Sequence, residues 1–304
     1  MKNSTNFFAT TDLAQNFAVP GAGDEISTSI QVNLGPVQET LLIPLLGRAQ
    51  ETQKQNGLLR DEKAVQIVAQ LDYDFSKWKG TRSLIWASLR TRIFDGYVEE
   101  FLARHPRGTV VEVGCGLNTR FERIDNGQAT WVELDLPDTI ALRRQFFADG
   151  PRRSMIATSV LDSGWMDTVE STGGPWIFIS EAALIYLDAA DAQRAISSIA
   201  ARFAGAFIVF DTTSQKLVEA QAKHDAMRQL ARASWFRWSC DDPREVESWG
   251  VGLSILNSKT LLDAESDLIA RLPPIMRLIM RFAPFLLRSR MSGYRLNLAV
   301  VANK

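Results

Sequence analysis

The sequence predicts an α/β fold built on a doubly wound, mostly parallel sheet, and three observations carry that prediction. A β-rich run, Thr109–Val113, ends in two glycines one residue apart, Gly114 and Gly116, and helix-capable sequence follows. Glycines at such a turn allow positive φ and let a ligand approach the main chain closely. Short apolar runs then alternate with helical patterns as far as Phe210, as expected of parallel strands covered on both faces. Finally, Asp135, Asp162, Glu181 and Asp211 stand just past successive predicted strands, at the edge where open α/β sheets bind ligands.

Composition narrows the class. A chain of 304 residues with 46% hydrophobic and 23% charged residues can bury a sizeable core, which excludes disordered and fibrous proteins. The formal net charge of −1 gives no global electrostatic case for nucleic acid or an anionic membrane. Cys115 and Cys240 make no disulfide framework. With His105 and His224 as the two histidines, no cluster has zinc-ligand spacing, and no metal site is expected. Met1–Ala18 lacks the continuous apolar run of a signal peptide, and Leu272–Leu287 is interrupted by Pro273, Pro274, Arg277, Arg281 and Pro284. A cytoplasmic protein without a membrane span is the expectation.

Taken in order, residues 1–33 read as a tail or flap, 34–108 as a helical cap and 109–304 as the core, with an insertion around 213–250 that would cover a substrate. Gly35-Pro36 opens an apolar helix in which Pro44 either makes a kink or sits in the first turn. Asp61 is the N-cap of a second helix. Ser83–Ala103 places Ile85, Leu89, Ile93 and Tyr97 four residues apart on a buried face, and also carries Arg90 and Arg92. The remaining predicted strands are Thr130–Leu134, Met155–Val160, Trp176–Ile179, Ala206–Phe210, Gly252–Leu256 and Tyr294–Val301. Helices are expected from Pro137 to about Ala148, near Trp165–Val169, from Asp188 to Phe203, from Gln215 to Arg232 and over Leu272–Leu287, the last Arg-rich and amphipathic.

Asp135 lies 21 residues after Gly114, close to the spacing of an acid that accepts from ribose hydroxyls. A dinucleotide site would want a third glycine at position 119, where Thr119 stands. The pattern instead suits a nucleoside without a pyrophosphate, such as S-adenosylmethionine. In that reading Asp135 takes the ribose, Asp162 the adenine amino group, and the methionine tail lies over the glycine turn. A nicotinamide-dependent oxidoreductase and a non-catalytic binding protein remain alternatives.

The chain resembles the leucine carboxyl methyltransferase family, and within it the bacterial polyketide O-methyltransferases of the tetracenomycin type. The matching stretches include Glu39-Thr-Leu-Leu-Ile-Pro-Leu, Arg90-Thr-Arg-Ile-Phe-Asp95, Gly114-Cys-Gly-Leu-Asn-Thr-Arg-Phe121, Leu134-Asp-Leu-Pro137, Ser159-Val-Leu-Asp162 and Ser180-Glu-Ala-Ala-Leu-Ile-Tyr-Leu187. The resemblance implies a Rossmann-like, seven-stranded methyltransferase sheet with an antiparallel last strand, and S-adenosyl-L-methionine as cofactor. It implies Arg90 as the clamp on the cofactor carboxylate, by guanidinium–carboxylate pairing. The expected cofactor-binding set is Arg90, Glu112, Gly114, Gly116, Asp135, Leu136, Leu161, Asp162 and Glu181. The family usually has Asp where Asn118 stands here, and Asn118 is expected to act as a helix cap.

A carboxylate acceptor is ionised at neutral pH and needs no base, whereas a phenol benefits from one. His224, in a polar stretch, is expected at the surface, so the scarcity of bases leans towards a carboxylate on a small-molecule or polyketide-like acceptor. Tyr186, Arg237 and Trp238 are the candidates for positioning it. Cys115 reads as a small filler, not a nucleophile.

Overall fold

The computed structural model describes residues 29–286 and 293–303. Its centre is a seven-stranded sheet in the order β5-β4-β3-β6-β7-β9-β8, with β3 Thr109–Val113, β4 Thr130–Asp135, β5 Arg153–Ala157, β6 Trp176–Ser180, β7 Phe207–Thr213, β8 Leu253–Lys259 and β9 Tyr294–Val301. All pairings are parallel except those of β9 with β7 and with β8. A separate two-stranded parallel pair joins β1 Ile30–Gln31 to β2 Leu71–Asp72.

Ten α-helices are described: α1 Leu42–Thr52, α2 Glu62–Gln70, α3 Ser83–Arg104, α4 Arg120–Ile124, α5 Pro137–Arg143, α6 Trp165–Glu170, α7 Ala189–Arg202, α8 Gln215–Glu219, α9 Ser266–Arg271 and α10 Pro274–Leu286. Pro44 falls in the first turn of α1, where its missing N–H costs no helical hydrogen bond. Asp61 caps α2, accepting from the Ala64 N–H at 2.9 Å.

Strand alternation divides the core. Val111, Val132, Phe178 and Ile208 point to one face and pack against α6 and α7 through Trp165, Ile196 and Ile199. Val110, Trp131, Ile177 and Val209 point to the other and meet Phe94, Val98 and Phe101 of α3. A third cluster joins α1 and α2 to the glycine turn, with Leu42, Leu45 and Ile67 around Cys115 and Leu117. The cap helices thus seat directly on the carboxyl edge of the sheet.

Several predicted boundaries need correction. The third strand of the main sheet ends at Ala157, not Val160, which leaves Thr158–Val160 as loop. The helix after Pro137 stops at Arg143, short of the expected end near Ala148, and the chain continues as tight turns through Phe147. Strand β7 runs on to Thr213, so Asp211 is inside the strand and not past its end. The predicted helix Gln215–Arg232 is α8 followed by separate 3-10 turns at Gln221–Lys223 and Met227–Gln229. Side-chain bonds explain the break: Gln221 donates to the Phe236 carbonyl and accepts from its N–H, and His224 Nδ1 accepts from the Met227 N–H. These local bonds compete with a continuous helix. Residues 1–28, most of the predicted tail, and Arg288 and Arg290 of the Arg-rich segment lie outside the described residues.

Candidate active site

The strand order reverses between β3 and β6, whose following loops therefore diverge and leave a crevice. The register sets Val113 opposite Leu134, so the turn after β3 and the acid after β4 share one edge. Gly114 and Gly116 take φ of 70° and 50°, which side chains other than glycine rarely adopt. A Cβ on Gly114 would stand 2.4 Å from that of Ala183 in the loop after β6. The turn is tied to β4 by Gly114 and Cys115 N–H bonds to the Leu134 carbonyl at 2.9 and 3.1 Å.

Asp135 completes this cradle. Its Oδ2 accepts from the Gly116 N–H and its Oδ1 from the Leu136 N–H, both at 2.7 Å. Burial pushes its pKa up against the pull of those two N–H groups and of Arg143. Leu136 beside it is exposed into the space above. A cavity of about 1110 Å³ opens here, and Arg90, Glu112, Gly114, Gly116, Asp135, Leu136, Glu181, Tyr186 and Arg237 all line it.

Under the cavity runs a buried ionic network. Arg120 of α4 donates to Asp95 of α3 at 2.8 Å, to Glu112 of β3, and to Glu181 at 2.6 Å. Arg90 Nε also reaches Glu181, at 3.0 Å, and Thr91 Oγ1 donates to it at 2.7 Å. Arg123 pairs with Asp95 and Asp61, and Arg48 with Asp61. Arg48, Arg90, Arg120 and Arg123 thus balance Asp61, Asp95, Glu112 and Glu181 one for one, as buried charges require. Burial works to raise the Glu181 pKa, but Arg90 and Arg120 hold the carboxyl below its usual range.

Arg90 Nη1 donates to Tyr294 Oη at 3.1 Å, and Tyr294 in turn donates to Asp211. Asp211 is fully buried; its Oδ2 also accepts from the Ala182 N–H at 2.8 Å, while Oδ1 has no partner. Burial is the main reason its pKa is raised to about 6. Ala182 holds φ of 51° on the cavity wall, a conformation that costs a non-glycine residue about 1–3 kcal/mol.

Three expected site residues, Asp162, Leu161 and Trp238, lie off the cavity. Asp162 is exposed and closes its own loop, accepting from Thr158 Oγ1 and the Ser159 N–H, and Leu161 packs on the core; neither lines the cavity, because β5 ends early. Thr158, Ser159 and Val160 line it instead. Trp238 is buried against Phe210 and Trp249, away from the cavity. Arg237 lines the cavity but is exposed and pairs with Asp188. Arg92 pairs with Glu99 on the outer side of α3. Asn118 does not cap α4, which starts at Arg120; its Oδ1 accepts from Arg123 at 3.3 Å. His224 is exposed, as expected, and also lines the cavity. Cys115 is buried in the turn and burial pushes its thiol up, consistent with a filler. Tyr294, Ala182 and Asp211 form a site feature that sequence reasoning missed in part: Asp211 was singled out, but its link to a tyrosine 83 residues away leaves no local signal.

A glycine cradle, an acid at the next strand end and a reversed strand order define a nucleoside-binding doubly wound protein. Comparison with known proteins narrows this. The sequence model of the leucine carboxyl methyltransferase family matches residues 42–200. The tetracenomycin polyketide synthesis O-methyltransferase of Streptomyces glaucescens is 30% identical over 235 residues, covering 77% of this chain and 86% of the relative. An S-adenosyl-L-methionine-dependent methyltransferase of Gibberella zeae is 29% identical over 246 residues, covering 73% and 82%. Among solved structures, a candidate methyltransferase from Thermobifida fusca YX superposes with a TM-score of 0.51 at 16% identity, over 85% of this chain and 95% of that one, a likeness in fold.

The chain belongs to the leucine carboxyl methyltransferase family. It is an S-adenosylmethionine-dependent O-methyltransferase, and the dinucleotide alternative falls away.

Proposed function

We propose that the protein methylates a carboxylate on a small, largely apolar, polyketide-like metabolite. The cofactor-binding part of the proposal rests on Arg90, Glu112, Gly114, Gly116, Asp135, Leu136 and Glu181. The donor set fits S-adenosylmethionine. Asp135 keeps acceptor capacity for ribose hydroxyls beyond its two backbone bonds, Leu136 offers apolar surface to a flat base, and the bare Gly114–Gly116 turn admits a chain against the backbone. Arg90, with Nε and Nη1 held by Glu181 and Tyr294, keeps Nη2 for a ligand carboxylate. When bound, the cofactor supplies a methyl group on a sulfonium, and the protein's own task is to orient an oxygen nucleophile and exclude water.

The observation that carries the carboxylate reading is that, among the described residues, each acid and the imidazole on the cavity wall already has a hydrogen-bond partner. Glu112 and Glu181 are held by Arg120, Asp135 by two N–H groups, and Glu219 by Gln215. His224 Nδ1 accepts from the Met227 N–H at 3.2 Å, and its Nε2 faces Ser83 Oγ at 3.5 Å. An acceptor that is already an anion needs none of them. The surrounding wall, with Trp86, Tyr186, Leu217 and Phe236, is apolar and aromatic, while Lys216, Lys223 and Arg237 bring positive charge to it.

One observation favours a hydroxyl acceptor. Tyr294 lines the cavity and donates to Asp211, so a hydroxyl proton could pass to Tyr294 as its own passes to the carboxylate. A panel of aromatic acids and their phenolic, decarboxylated analogues, assayed with methyl-labelled S-adenosylmethionine, separates the readings. The carboxylate reading expects a base-labile methyl ester, a rate flat above pH 6, and activity within about threefold for Tyr294→Phe. An alkali-stable ether, or a rate that rises with pH and collapses in Tyr294→Phe, would establish the hydroxyl reading instead.

A further inference from the structure

Helix α10 carries two apolar faces, and the fold uses one of them. Met276 and Met280 are buried with Leu268 and Leu272 of the preceding segment, in a cluster that also takes in Trp86 and Leu261. Ile275, Leu278 and Phe282 point outward and are 58%, 52% and 48% exposed. At about 100° per residue these three fall within roughly 60° of arc. They form one continuous stripe, not scattered exposed side chains of the ordinary kind.

The charge on this helix has one sign. Arg277 and Arg281 are exposed and four residues apart, on the flank next to Leu278, and α10 contains no Asp or Glu. Neither arginine makes an ion pair among the described residues, and Arg271 just ahead reaches Asp267 only at 3.7 Å. A two-fold contact between copies of this chain would set arginine against arginine, which like-charge repulsion disfavours. An apolar stripe edged by arginines complements a surface that offers hydrocarbon and negative charge together.

We propose that α10 is a docking surface for anionic lipid bilayers, lying in the interface with Ile275, Leu278 and Phe282 in the acyl boundary and Arg277 and Arg281 against the headgroups. The chain's net charge of −1 is no obstacle, because screening confines the attraction to charges within about 8–10 Å of the membrane. No helix among the described residues is long and apolar enough to cross a membrane, so the contact is one-sided. Trp86 and Leu261, which pack in the same cluster as the inner face of α10, also line the cavity. Docking through α10 therefore brings the cavity close to the lipid; that an apolar acceptor enters from there rests on the function proposed above, while docking itself does not.

Co-sedimentation of the full chain with vesicles of phosphatidylcholine alone, and of phosphatidylcholine with 30% phosphatidylglycerol, tests the surface. The expected result is binding to the anionic vesicles only, reduced tenfold or more in Leu278→Ser/Phe282→Ser and in Arg277→Glu/Arg281→Glu, and reduced for the wild type by 0.5 M salt. Calorimetric binding of S-adenosylmethionine, unchanged in both variants, establishes that they are folded. Absence of binding to anionic vesicles overturns the proposal, as does equal binding by the folded variants. It is overturned as well if light scattering finds a wild-type dimer that Leu278→Ser/Phe282→Ser dissociates, since the stripe is then an interface between copies.

Discussion

Asp135 serves two partners at once at the residue scale. Its carboxylate fixes the glycine turn through the Gly116 N–H and begins the next segment through the Leu136 N–H, and it also faces the cavity. Asp135→Ala should weaken S-adenosylmethionine binding tenfold or more, about 1.5–3 kcal/mol for a lost charge-assisted contact. Calorimetric affinity equal to wild type would move the ribose contact elsewhere. Asp211 gives a pH signature of unusual sign. Its carboxyl pKa is raised from 3.8 to about 6 in the folded chain, burial being the chief cause, so the folded state holds the proton more tightly than the unfolded one. Its charge therefore costs stability above pH 6, and that cost fades as pH falls through 6 towards 3.8. Asp211→Asn should be more stable than wild type at pH 8, by up to about 3 kcal/mol, with a smaller difference at pH 5. Urea midpoints at the two pH values check this, and a difference that grows at pH 5 would contradict it.

At the scale of elements, the turn between β3 and α4 concentrates the constraint. Gly114→Ala must place an L side chain at φ of 70° and 2.4 Å from Ala183 Cβ, whereas Gly127→Ala meets the same strain at φ of 76° with nothing within 4 Å. Both should lose stability, by about 1–3 kcal/mol for the backbone strain. Gly114→Ala should lose more and should bind the cofactor less well, as denaturation curves and calorimetry on both variants would measure. Equal losses would mean that Ala183 gives way freely. The strands and this turn were legible because period, flanking glycines and acids are local signals. The stretch 215–232 was not, because its helical pattern loses to bonds made by Gln221 with Phe236, and by Asp225 with Arg82 and Ser83 where α3 begins.

Across the whole molecule, Arg120 ties cap to sheet. One guanidinium, 1% exposed, spans Asp95 on α3, Glu112 on β3 and Glu181 after β6. Arg120→Ala should destabilise the fold by about 3–5 kcal/mol, since it leaves buried carboxylates without their partner. Arg120→Lys should recover part of that, because an ammonium restores the charge but not the planar fork. Guanidinium denaturation of the two variants measures both; a loss below 1 kcal/mol for Arg120→Ala would show that water or Arg90 compensates. Arg120 and Asp95 both stand in the stretches that carry the family resemblance, yet pattern alone named neither as a hub, since their 25-residue separation is bridged only by folding.

By itself the sequence determined the alternation of strands and helices, the glycine turn, the acid after the second strand and the family. Each follows from short-range geometry: side-chain period, the φ freedom of glycine, and the roughly 20-residue length of a strand-helix unit. Tertiary structure decided which acids reach the cavity. Asp135 and Glu181 do, because register brings their strand ends together; Asp162 does not, because its strand stops at Ala157 and its carboxylate closes a local turn. It also decided that Trp238 is core, that Tyr294 meets Arg90 across 204 residues of sequence, and that one face of α10 stays in solvent. Those outcomes depend on packing between distant segments, which no local pattern encodes.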